Sequence, residues 1–104
     1  MATIALTEAV YYILLSLLIP RHGYGIMQNA ETLSGGRVKL AAGTLYGAIN
    51  SLLEKGWITA LAGEKDSRKK EYVITEEGLS ILKAEIQRLK ELVENGTRIL
   101  EEQA

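Results

Sequence analysis

A mostly α, α+β fold class is predicted by three features of the 104-residue sequence: three short amphipathic helical patterns in succession, a charged β-hairpin after them, and one long helix patterned at heptad spacing. The length suits one structural domain and is too short for two that each bury a core of their own. A composition of 47% hydrophobic and 24% charged residues with a single proline belongs to a chain that folds, not to a disordered one.

Leu6, Val10, Ile13, Leu14 and Leu17 recur at helical spacing and place the first helix from Thr7 to about Leu18, stopped by Pro20. After His22-Gly23-Tyr24-Gly25, the positions Ile26, Met27, Ala30 and Leu33 describe a second short helix that ends at Ser34-Gly35-Gly36. A link from Arg37 to Leu40 leads into a third helix with Leu45, Ile49, Leu52 and Leu53 on its inward face and Gly56 as its C-terminal cap. Away from that stripe lie Thr44, Tyr46, Gly47, Asn50 and Ser51, small or hydrogen-bonding groups without repelling carboxylates.

Trp57–Ala62 and Lys70–Ile74 have strand character, and Gly63–Lys69 between them is turn-forming and charged, giving a β-hairpin with a basic tip. Thr75 is placed to N-cap the last helix, with Glu76 and Glu77 favourable in its first turn. Leu79, Leu82, Ile86, Leu89 and Val93 follow at alternating spacings of three and four, a coiled-coil seam that wants a partner. Gly96 and Leu100 continue the line, and Gly96 either permits close helix approach or marks a kink. Three helices, a hairpin and a long helix make the order of a winged helix-turn-helix with a two-stranded β-hairpin wing and an appended C-terminal dimerisation helix. Residues 1–75 are the expected winged region and 76–104 the dimerisation helix.

Several function classes fall away. No cysteine is present, so disulfides, thiolate nucleophiles and cysteine-ligated metals are excluded, and a reducing cytoplasm is the natural setting. The apolar run Val10–Ile19 is about half the ~20 residues a membrane-spanning helix needs, and no basic region precedes it. His22 has no second histidine and no carboxylate at i+4, so no metal site is expected. With no histidine-paired nucleophile, and with Glu76 and Glu77 explained by helix-start electrostatics, the chain is not expected to be an enzyme or to carry a cofactor. Gly23-Tyr24-Gly25 is no dinucleotide fingerprint, because Gln28 stands where the third glycine is needed.

The net charge of −1 conceals a division. Arg37 to Lys70 carries +4 and the remainder −5, which points to a basic surface in the middle of the chain. In a winged helix-turn-helix the third helix enters the major groove and the wing meets flanking phosphates, so Arg68, Lys69 and Lys70 are the wing candidates. Lys39, just before the third helix, can neutralise a phosphate. Tyr46 can donate its hydroxyl to a phosphate or serve as a partly buried packing residue, and Thr44 and Asn50 can reach phosphates or base edges.

The run from Gly43-Thr44-Leu45-Tyr46 through Gly56-Trp57-Ile58 resembles the recognition-helix signature of PadR-like regulators. His22-Gly23-Tyr24-Gly25 and Lys70-Glu71-Tyr72-Val73-Ile74-Thr75-Glu76-Glu77-Gly78 resemble that family's second-helix start and its wing-to-last-helix junction, so that nearly all of Leu6 to Ala104 is covered. The resemblance implies a homodimeric repressor whose third helix and wing bind a palindromic operator in double-stranded DNA, with Tyr46 matching the family's recognition-helix tyrosine. A single long last helix matches the small subfamily, without the extra C-terminal effector domain of larger members. Some small members sandwich flat ligands between tryptophans of the last helix, but the only tryptophan here is Trp57, a packing residue at the helix-to-wing junction.

Leu82, Ile86, Leu89 and Val93 are the expected dimerisation residues, with the first helix beside them. A groove lined by leucine and isoleucine from two last helices would admit a small apolar effector. The rival reading from a different class is a winged-helix protein-interaction module that leaves DNA unbound.

Overall fold

A computed structural model describes residues 4–61 and 70–104. The basic tip of the hairpin, with Arg68 and Lys69, lies outside the described residues. Helix α1 spans Glu8–Ser16; the side chain of Thr7 caps it by accepting the Val10 N–H at 3.2 Å. Helix α2 spans Gly23–Leu33, beginning three residues earlier than Ile26, with His22 at its N-cap position but making no side-chain cap bond. Gly35 and Gly36 follow it with φ of 63° and 88°, left-handed conformations that turn the chain sharply away.

Helix α3 spans Ala42–Lys55 and stops at Gly56, whose φ of 75° is the left-handed cap expected from its sequence position. The Gly56 N–H then reaches the Leu53 carbonyl and the Trp57 N–H the Leu52 carbonyl, each at 3.1 Å. This closure aims Trp57 back into the core instead of along a strand, so the strand expected from Trp57 starts one residue later.

Among the described residues, three strands form one antiparallel sheet. Between β2 (Ile58–Ala60) and β3 (Glu71–Ile74) the register is Ile58 against Ile74 and Ala60 against Tyr72. A two-residue strand, β1 (Arg21–His22), adds to the other edge of β3 with Arg21 opposite Tyr72, so the wing hairpin carries a third short strand. Arg21 is further held by its Nε–H, which donates to the Ser16 carbonyl at 2.8 Å.

The core is Ile13 and Leu14 of α1, Leu17 at its C-cap, Ile26 of α2, Leu45, Ile49 and Leu52 of α3, Trp57, Ile58 and Tyr72 of the wing, and Leu82 of the last helix. Each fully buried aliphatic contributes roughly 1.5–3 kcal/mol relative to exposure. This common core fixes α3 against α1, α2 and the wing.

Helix α4 runs unbroken through Gly96, from Glu76 to Gln103. Its start is clamped to the end of α3. The Thr75 hydroxyl donates to the Gly56 carbonyl at 2.6 Å and accepts the Gly78 N–H at 3.1 Å. A Cβ at Gly78 would collide with the Trp57 carbonyl, which explains the glycine there. Beyond Arg88 every residue of α4 is exposed, and the molecule is correspondingly elongated, 60 × 32 × 20 Å. The architecture is that of a winged helix-turn-helix with a long C-terminal helix. Among the described residues, no helix is long and apolar enough to cross a membrane.

Candidate functional site

Because Leu45, Ile49 and Leu52 are drawn fully into the core, the opposite side of α3 must face outward. Thr44, Tyr46, Gly47, Asn50 and Ser51 are all exposed there, with Gly43, Gly47 and Asn50 along its centre at positions i, i+4 and i+7. The face is free of carboxylates from Ala42 to Leu53. Glu54 closes it in the last turn, one turn beyond Asn50, so the carboxylate-free surface expected from the sequence covers the N-terminal three turns only. Ala41, at the N-cap, makes no side-chain cap bond, leaving the first amides of α3 without a capping side chain. Lys39 stands exposed just before them.

Tyr46 is 46% exposed, and its hydroxyl lies against Gly23 at the start of α2. Any Cβ at Gly23 would meet that hydroxyl, so the glycine and the tyrosine, 23 residues apart, are one packing unit. Part of the ring positions α3 on α2 while the rest stays open to a partner. Inward of it, burial pushes the Tyr72 hydroxyl pKa up, and the neighbouring Tyr46 adds to the shift.

The basic residues of the middle segment divide by what they already touch. Arg37 pairs with Glu8 at 2.7 Å and Lys55 lies 4.9 Å over the Trp57 ring, so both have partners within the chain. Lys39 and Lys70 are exposed and flank the α3 face in sequence; Lys70 immediately precedes β3. These two are the described members of the expected phosphate-binding set, together with the Thr44, Tyr46 and Asn50 face.

A second surface lies on α4, where the expected seam divides. Leu82 is 2% exposed and belongs to the chain's own core, which corrects its assignment to a seam awaiting a partner. Ile86 is half-buried, whereas Leu89 and Val93 are 36% and 66% exposed. Leu100 is exposed on the continuation of the expected line, and Leu92 and Ile99 widen the exposed stripe beyond it. Tyr11 of α1, Ile86, Leu89 and Val93 line a cleft of about 370 Å³ between the two helices.

Beside that cleft sits a group the sequence reading missed. Glu85 is 2% exposed, and its carboxylate accepts the Leu6 N–H at 2.9 Å and two donors of Arg88, Nε at 2.6 Å and Nη2 at 2.9 Å. The Arg88 bonds hold its pKa below the usual carboxylate range despite the opposing effect of burial. The pair ties the segment before α1 to α4. Glu85 stands seven residues after Gly78 and three after Leu82, on the buried line of α4, and that spacing was the available signal.

Comparison with known proteins places the chain among regulators. The model of the Transcriptional regulator PadR-like family matches residues 13–84. A transcriptional regulator from Clostridium thermocellum is similar at 31% identity and a TM-score of 0.66, over 90% of this chain and 92% of that one. A PadR family transcriptional regulator from Eggerthella lenta gives 26% and 0.71, over 88% and 80% of the two chains. RosR from H. salinarum gives 28% and 0.65, over 86% and 76%. No match was found among curated proteins.

Proposed function

The chain belongs to the PadR-like family of transcriptional regulators, and from that premise we propose that it is a homodimeric repressor that binds an inverted-repeat operator in double-stranded DNA. It regulates transcription and is not an enzyme. The observation that carries the proposal is the outward face of α3: three turns without a carboxylate or a large aliphatic group, presented by a helix whose opposite side is locked in the core.

In this reading Asn50 reads base edges in the major groove, since its amide offers a donor and an acceptor together. Thr44 and the Tyr46 hydroxyl bind phosphate and set the register, and Lys39 and Lys70 add charge-based affinity, joined by Arg68 and Lys69 of the wing. Glu54 lies at the far end of α3 from the turn that enters a groove first, where its charge opposes DNA least. The exposed part of α4, with Leu89 and Val93 and with Ile86 at its edge, joins two copies, and residues 76–104 act as the dimerisation element of a protein working in the cytoplasm. The cleft at Tyr11, Ile86, Leu89 and Val93 is where a small apolar effector would enter and alter the spacing of the two α3 helices.

Selection of bound sequences from a random duplex pool tests the function. An inverted repeat whose half-site centres lie about one helical turn, ~34 Å, apart is the expected result. Recovery of no preferred sequence, or of an asymmetric site bound by one protomer, contradicts it.

A further inference from the structure

Between the buried stripe of α3 and its outward face runs a third line. Ala48, Ser51, Leu52 and Lys55 stand at positions i, i+3, i+4 and i+7 and so lie along one side of the helix. Two of the four are small. Opposite them are residues 4–7 and Val10 of α1, and each wall is held in place. The core fixes α3 through Leu45, Ile49 and Leu52, while Glu85 of α4 accepts the Leu6 N–H at 2.9 Å and the Thr7 side chain caps α1. A cavity of about 190 Å³ remains between them, with the buried Trp57 in its wall. Its other apolar groups are Ile4, Leu6, Val10, Ala48 and Leu52, and Thr7 and Ser51 add hydroxyls. Lys55 brings the single charge among the described residues that line it, with its ammonium 4.9 Å from the centre of the Trp57 ring.

We propose that this cavity binds a small unbranched alkyl carboxylate, and that the occupied site weakens the hold of α3 on DNA. The site stands on the geometry of this chain alone; its effect on DNA rests on the operator reading above. Size sets the length of the ligand. An apolar cavity of ~150 Å³ holds a benzene ring and a drug-sized ligand needs roughly 300 Å³ or more, so this cavity takes a body of about six to eight carbons. The aliphatic walls bury the chain, and Lys55 selects the headgroup, because an ammonium at the rim repels a cation and pairs with a carboxylate. Ser51, one turn before Lys55, donates a second hydrogen bond to it. Ser51 is also exposed on the outward face of α3. A carboxylate held there places a negative charge at the edge of the surface offered to phosphates, so ligand and operator weaken each other by the same factor.

Trp57 is the only tryptophan of the chain, so its fluorescence reports on this cavity directly. Titration of the full chain with sodium octanoate should change that emission saturably. From butanoate to octanoate the affinity should rise about fourfold per methylene, then level off once the cavity is full. Uncharged 1-octanol should bind about fivefold more weakly than octanoate, and Lys55→Gln should erase that difference. Ala48→Leu should fill the cavity and abolish the response to both; Ser51→Leu, at a more exposed position, makes the same test if the Ala48→Leu chain fails to fold. No response of Trp57 to millimolar octanoate would overturn the proposal. So would octanoate binding that survives both leucine variants, which would place the ligand elsewhere, or 1-octanol binding as tightly as octanoate. Octanoate should also weaken operator binding by the wild type, more at low salt than at high, and unchanged operator affinity would overturn the coupling. Failure to select any operator would remove the reading above, while the Trp57 titration would still decide the site.

Discussion

The outward faces of α3 and α4 belong to the same chain and could hardly differ more. Over the first three turns of α3 the outward face carries Gly43, Thr44, Gly47, Asn50 and Ser51, a polar surface with little apolar area beyond the Tyr46 ring. On the second half of α4 they are Leu89, Leu92, Val93, Ile99 and Leu100, a broad apolar arc bounded by charges. A hydrated polyanion with hydrogen-bonding edges suits the first face, and only another apolar face suits the second. The difference teaches that exposure alone does not identify a partner; the chemistry of what is exposed does.

The largest expected effect removes the second face while sparing the first. Leu89→Glu places an uncompensated charge in the α4 contact of both copies, so sedimentation should show dimer affinity reduced at least about 100-fold, taking roughly 3 kcal/mol per buried unpaired charge. A dimer of unchanged affinity would break the comparison. Within that monomeric background, Leu82→Ala should cost about 3 kcal/mol in chemical unfolding and Leu100→Ala less than about 0.5 kcal/mol, because one side chain fills the core and the other meets water. Equal costs would mean the free half of α4 is not free.

Glu85→Ala comes next, at roughly 2 kcal/mol, below the usual cost of breaking a buried pair because Arg88 keeps some contact with solvent. Its pH dependence has a definite sign. Arg88 depresses the folded-state pKa of Glu85, so the carboxylate's contribution is present above the ordinary carboxylate value and is lost as pH falls through the lowered one. Unfolding measured against pH should lose that acid-side step in Glu85→Gln; an unaltered profile would remove Glu85 as the tie between Leu6 and α4. The smallest effect concerns α3. Gly47→Ala should raise thermal stability by up to about 1 kcal/mol, as a glycine leaves a helix interior, and should lower operator affinity because the added methyl stands on the reading face. Improved stability with improved binding would mean that face is not approached closely.

The sequence made the helical elements legible where a chemical cap marked an end. Thr7, Gly56 and Thr75 sit where their side chains or lack of one require them, and α1, α3 and α4 begin or stop there. Strand β1 was illegible because two residues carry no periodicity and their partners, Tyr72 and Glu71, lie some fifty positions away. The seam of α4 was legible as a pattern but not as a boundary. Leu82 and Leu89 occupy equivalent heptad positions, and only the packing of the winged body decides that one is core and the other surface. The α3 face was named by its residues from the sequence, yet the contact between Tyr46 and Gly23 joins two motifs whose proximity depends on the helix-turn-helix packing.

The most direct measurement of the central claim, that α3 reads DNA while flanking lysines anchor it, is operator affinity against salt for the wild type, a Lys39→Ala/Lys70→Ala double variant and Asn50→Ala. Wild-type log affinity should fall linearly with log salt. The lysine variant should bind all sequences more weakly, with the slope reduced by about one unit per lost phosphate contact, and keep its base preference. Asn50→Ala should keep the slope and lose about 1–3 kcal/mol of discrimination at one or two positions in each half-site. Affinity indifferent to salt, or lysine changes that alter base preference while Asn50→Ala changes nothing, would contradict the account.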